Sequence, residues 1–144
     1  MSTVSVGAAL KERLLTDAAL RALLIALLPE DADVSSDAIS LRFAEQSAPG
    51  TSDLPCVIWT SEPGEGTAAR CGGMAEQRTR YRVEVVRLGE SFDTIEPLRA
   101  RIEELLGGWD NDSFAMVQDG NWARKEPGVS GSHARLGNYY VVIE

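Results

Sequence analysis

Hydrophobic positions change their period along the chain, and each period implies a type of element. Val6, Leu10, Leu14 and Leu15 recur at helical spacing behind Ser5, a residue suited to an N-cap. Thr16-Asp17 offers a second cap, after which Leu20, Leu23, Leu24 and Leu27 form another stripe that Pro29 ends. Residues 1–29 are therefore predicted to form two helices. Ala38-Ile39-Ser40-Leu41-Arg42-Phe43 alternates apolar and polar residues, which predicts a half-buried strand. Cys56 to Thr60 is almost continuously apolar behind Pro55 and predicts a central strand.

Residues 62–77 contain Pro63, Gly64, Gly66, Gly72 and Gly73 and predict a long hairpin loop within the strand region 38–88. The strand from Arg78 to Leu88 places Tyr81, Val83 and Val85 on one face, with Arg80, Arg82 and Glu84 on the other. A charged face on such a strand implies one side turned to solvent or to a partner. Residues 91–107 predict a helix with Ile95, Leu98, Ile102, Leu105 and Leu106 as its stripe and Arg99, Arg101, Glu103 and Glu104 opposite. Thr94 is the expected N-cap, Pro97 falls in the first turn, and Gly107-Gly108 supply a left-handed stop. In residues 113–144 the pattern predicts a short strand from Ser113 that ends at Asp119-Gly120. An irregular stretch follows from Trp122 to Gly131, then a last strand from His133 with Tyr139, Val141 and Ile143 on one face.

Length and charge narrow the reading. A chain of 144 residues, 44% apolar and 25% charged, suits one α+β domain over residues 1–144. Residues 1–77 carry five Lys/Arg against eleven Asp/Glu, and the rest carry nine against eleven. A formal net charge of −8 argues against a nucleic-acid-binding surface, which needs a basic patch. Twelve of the fourteen basic residues are arginine, which suits bidentate contact with carboxylates and equally a GC-rich genome. The first residues lack a basic and apolar signal pattern, and the Ala18–Leu28 run is too short to span a bilayer. Cys56 reads as a small buried hydrophobe and Cys71 as a free thiol, with no zinc-ligand spacing around either.

No cluster announces chemistry. Gly64-Glu65-Gly66 lacks the Gly-Lys-Ser/Thr ending of a phosphate loop. His133 is the single histidine, flanked by Ser130 and Ser132, and adjacent residues along one strand do not readily make the Ser–His hydrogen bond a nucleophile pair needs. Glu30, Asp31, Asp33 and Asp37 lack the EF-hand glycine and terminal glutamate and read as a solvated loop. Trp59 reads as core. Trp109 and Trp122 are either caps over the core edge or interface anchors. No catalytic residue, metal site or cofactor is expected.

The broken Leu/Ala helix from Leu10 to Leu24, the Leu54-Pro55-Cys56-Val57-Ile58 strand and the strand–helix unit from Arg80 to Gly108 resemble the tail-terminator (tail-completion) proteins of long-tailed bacteriophages. The resemblance is one of pattern and covers the order of elements from Ser5 to Ile143. It implies an α+β fold with a mostly antiparallel or mixed sheet and helices packed on one face. It also implies a homohexameric ring that caps the tail tube and joins the head-proximal connector. DNA would pass through the lumen without specific binding, and no membrane is involved. Trp122–Gly131 has no place on that pattern. The residues expected at an interface are Arg80, Arg82, Glu84, Arg99, Trp109 and Trp122. The alternatives are another head–tail connector or tail-tube subunit or, in a different class, a small ferredoxin-like ligand-binding domain.

Overall fold

Two helix starts are fixed by side chains that satisfy orphan amides. The Ser5 Oγ accepts from the Ala8 N–H at 3.1 Å and opens α1 (Val6–Leu15). Thr16 closes α1 by donating its N–H to the Glu12 carbonyl at 3.0 Å, and the Asp17 carboxylate accepts from the Leu20 N–H at 2.8 Å to open α2 (Ala18–Ala26). The computed structural model of the protein describes residues 5–45, 55–63, 78–89, 91–128 and 131–144. The predicted loop over 62–77 lies outside the described residues apart from its first two positions, which continue a strand.

The architecture is α+β, and the described residues form four helices and one five-stranded mixed sheet. The remaining elements are α3 (Ser36–Ser40), β1 (Phe43–Glu45), β2 (Cys56–Pro63), β3 (Arg78–Leu88), α4 (Glu96–Leu106), β4 (Ala115–Gly128) and β5 (Gly131–Ile143). The strand order is β1-β2-β3-β5-β4, with β1 parallel to β2 and every other pair antiparallel. Leu10, Leu14, Leu20, Leu24, Leu98, Ile102 and Leu106 bury against Tyr81, Val83, Val85, Tyr140 and Val142 in one core. The stripe of α4 thus meets the sheet face that the alternation in β3 marks as apolar. On the opposite face Cys56, Ile58 and Val86 form a smaller buried cluster.

The structure corrects three elements. Residues 38–43 are not a strand. Ser35 caps the short helix α3, with its Oγ accepting from the Ala38 N–H at 3.3 Å, and only Phe43 enters β1. Ile39 and Phe43, four apart, are both buried, whereas Leu41 is 70% exposed. That is the helical alternative to the strand alternation. At α4 the N-cap is Ile95, without a side-chain bond. Thr94 instead accepts from the Arg87 Nη1 at 2.8 Å, and two amides of the first turn donate to the Phe92 carbonyl. The left-handed residue past α4 is Gly108, not Gly107.

The largest correction is β4. Asp119-Gly120 does not end the strand but forms a β-bulge between Gln118 and Asn121. Gly120 takes the φ of 104° that a side chain would strain. Pairing with β5 then resumes, with Trp122 opposite Gly137 and Arg124 opposite Arg135. The stretch expected to be irregular is therefore ordered ladder as far as residue 128.

Candidate interaction surface

The helices cover one face of the sheet, and the alternation of β3 sends Arg80, Arg82 and Glu84 to the other. Register sets their neighbours. Ile58, Glu84, Gly137 and Trp122 form one row across β2, β3, β5 and β4, and Thr60, Arg82 and Tyr139 form the next. On the other side of the Glu84 row, Arg135 and Arg124 are paired beside Val86.

Glu84 anchors this surface. It is 1% exposed, and the Arg135 Nη1 donates to its Oε1 at 2.8 Å. The Arg82 Nε lies 3.4 Å from its Oε2, and the Arg82 Nη1 lies 3.8 Å from Glu62. A buried carboxylate is tolerated only with such partners. Gly137 makes the close approach possible: a Cβ there would fall 2.6 Å from the Val83 carbonyl oxygen and 2.9 Å from the Glu84 Cβ.

Aromatic rings lie between the guanidinium groups. The Arg80 Cζ sits 3.9 Å from the Tyr139 ring centroid, and Arg82 and Arg124 flank the Trp122 ring at 5.8 and 5.6 Å. Trp122 and Tyr139 approach at 6.4 Å between centroids. The bulge contributes Asp119, whose carboxylate lies 3.6 Å from the Arg80 Nε. Among the described side chains this face holds five arginines (with Arg78 at its edge) against three carboxylates. It is cationic on a chain of net charge −8.

Four of the six expected interface residues therefore converge, and two do not. Arg99 lies on the helix side of the sheet, its side chain 15% exposed. It bonds Glu96 through its Nε at 2.8 Å, Glu103 at 2.7 Å, and the Oδ1 of buried Asn138 at 3.0 Å. Asn138 in turn donates to the Tyr140 hydroxyl at 3.0 Å, and burial holds that phenol's pKa well above its ordinary value. Trp109 caps the core edge, edge-on to Phe114 at 5.1 Å with the Arg13 Cζ 4.7 Å from its centroid. Sequence reasoning missed Tyr139, Arg124 and Arg135 as members of the face. Their signal was strand parity, hidden for β4 by the bulge.

A second surface lies along residues 30–41. Glu30, Asp31, Asp33 and Asp37 are all exposed. Hydrogen bonds from Ser35, led by its amide at 2.9 Å, hold the Asp33 carboxyl below its ordinary pKa. Val34 and Leu41, 51% and 70% exposed, stand among them. Elsewhere a shallow groove between α2, α4 and the start of β4 contains Arg101 and Glu104, but these are already paired at 3.2 Å. Among the described residues no group of His, Cys, Asp and Glu is arranged to hold a metal ion, and no described helix is long and apolar enough to cross a membrane.

No protein-family model and no curated protein matches the chain. Among solved structures it is similar in fold to a chain of the virion of a native gene transfer agent (GTA) particle. That likeness has a TM-score of 0.57 at 15% identity and covers 96% of this chain and 93% of the other.

Proposed function

We propose that the protein is a structural virion component: a ring that caps the tail tube at its head-proximal end and joins it to the connector. The observation that carries this reading is the near end-to-end likeness of fold to a virion chain, with little left over on either side. The sequence pattern from Ser5 to Ile143 supports the finer role of tail terminator, acting as a homohexamer bound to the tube protein and to the connector. The function is non-enzymatic. Among the described residues several polar side chains form structural pairs: Arg101 with Asp17, Arg135 with Glu84, Arg99 with Asn138.

A ring requires a heterologous contact in which one patch meets a different patch on the next copy. The cationic sheet face and the acidic 30–41 segment are two such distinct patches. A chain of net charge −8 also suits a lumen through which DNA slides without binding. Reconstruction of the particle tests the proposal. Copies of this chain should form one sixfold ring between tail tube and connector. Placement in the tube itself, or in the head, would assign it to another virion role.

A further inference from the structure

We infer that the outer sheet face of one copy receives the 30–41 segment of the next copy, and that this contact is the repeating joint of the assembly. The inference rests on the ring reading for its closure, but not for the pairing of the two surfaces.

The receiving face offers arginine guanidinium groups interleaved with two aromatic rings. Arg80 lies over Tyr139, and Arg82 and Arg124 flank Trp122. Its own carboxylates are each beside an arginine: Glu84 is buried under Arg135, Asp119 faces Arg80, and Glu62 lies 3.8 Å from Arg82. Such a surface accepts carboxylates bidentately on the guanidinium planes and apolar groups on the rings. The 30–41 segment presents both kinds of group together. Its four exposed carboxylates are interspersed with Val34 and Leu41, two of the most exposed large apolar side chains described. Aromatic and arginine residues are among the groups enriched at interface centres.

Charge decides between occupants. The chain as a whole is acidic, so a free polyanion such as DNA meets net repulsion on approach. A second copy brings its acidic segment to this cationic face and leaves the like-charged surfaces apart. The two patches are different, so the contact is head-to-tail, the type that closes by rotation.

Charge exchange tests the pairing. One variant reverses the face, with Arg80→Glu and Arg124→Glu. A second reverses the segment, with Asp31→Arg and Asp33→Arg. Each is followed by sedimentation at low ionic strength beside the unaltered protein. Each variant alone should self-associate about tenfold or more weakly, because like charges now face each other. Mixed one to one, they should associate again, since each variant's altered patch fits the other's. An even ring would then contain the two in strict alternation. The segment positions are exposed, so that variant decides the matter even if the face variant fails to fold.

Association of either variant at unaltered strength would overturn the contact, as would a mixture that stays dissociated. So would an unaltered protein that is monomeric at about 1 mM, where even a weak contact is populated. Salt-sensitive binding of a single-stranded oligonucleotide that Arg80→Glu/Arg124→Glu abolishes, with self-association untouched, would reassign the face to nucleic acid. The ring reading stands or falls separately, on the copy number and position of the chain in the particle.

Discussion

Glu84 and Arg135 meet on the sheet face that no described helix covers, the guanidinium donating to the carboxylate at 2.8 Å while Glu84 is 1% exposed. Removing one partner orphans a buried charge. Arg135→Ala should destabilise the protein, by less than the about 3–5 kcal/mol typical of a broken buried pair, because Arg82 remains 3.4 Å away. Replacing both, as Glu84→Leu with Arg135→Met, should recover most of that loss. Urea unfolding of the single and double variants measures it. A single variant as stable as the parent would show that the pair is not needed to hold Glu84.

Gly137 lies between Glu84 and Trp122 in the same row of the sheet. Gly137→Ala places a Cβ 2.6 Å from the Val83 carbonyl, and backbone cannot yield as a flexible side chain can. The expected cost is about 1–3 kcal/mol, the range for an overpacked core site. The variant should lower the melting temperature and broaden amide signals of β3 and β5 before those of α1.

The helix α4 supplies a paired test. Ile102 is 1% exposed in the main core, so Ile102→Ala should cost about 2–5 kcal/mol. Its sequence position suggests that Arg99→Ala is nearly silent, and the structure reverses that expectation. Loss of Arg99 leaves the Asn138 Oδ1 buried without its donor, a penalty of about 1–3 kcal/mol. Thermal unfolding of the two variants, with Arg124→Ala as an exposed control, separates these cases.

Asp17 caps α2 and also accepts from Arg101 of α4 at 2.7 and 2.9 Å. The bond from Arg101 is the main reason its carboxyl is held below the ordinary value of 3.8. A depressed carboxylate contributes stability that is fully present above the unfolded value and is lost as pH falls through the folded one. Asp17→Asn keeps a capping oxygen and removes the charge. The stability gap between parent and variant should therefore be widest near neutral pH and should narrow as the pH falls below the ordinary carboxylate value and through the depressed folded one. A gap that stays constant over that range would remove the charge from the explanation.

Much of this fold could be read from sequence where local signals agreed. Ser5 and Asp17 cap where expected, and the stripe from Leu98 to Leu106 packs where the apolar face of β3 requires. The misreadings share a cause, in that two local rules competed. Ile39, Leu41 and Phe43 fit a strand alternation, while Ile39 and Phe43 also fit a helical turn, and the Ser35 cap favoured the helix. Asp119-Gly120 is a turn signal, yet inside a ladder with β5 it becomes a bulge, so the outward placing of Trp122 was hidden. Arg99 is four residues after Ile95 and three before Ile102, which puts it on the buried flank of α4 rather than opposite. Its charge suggested solvent, but Asn138 on the neighbouring strand was waiting for a donor. The clustering of Arg80, Arg82 and Glu84 with Arg135, Tyr139 and Trp122 needed strand order, which no local pattern carries.

The central claim is the ring at the end of the tail, and a reconstruction of the assembled particle tests it most directly. The expected result is one ring of six copies between tube and connector, with the 30–41 segment of each copy lying on the Arg80–Arg124 face of the next. A different copy number at that position, or this chain found elsewhere in the particle, would contradict it.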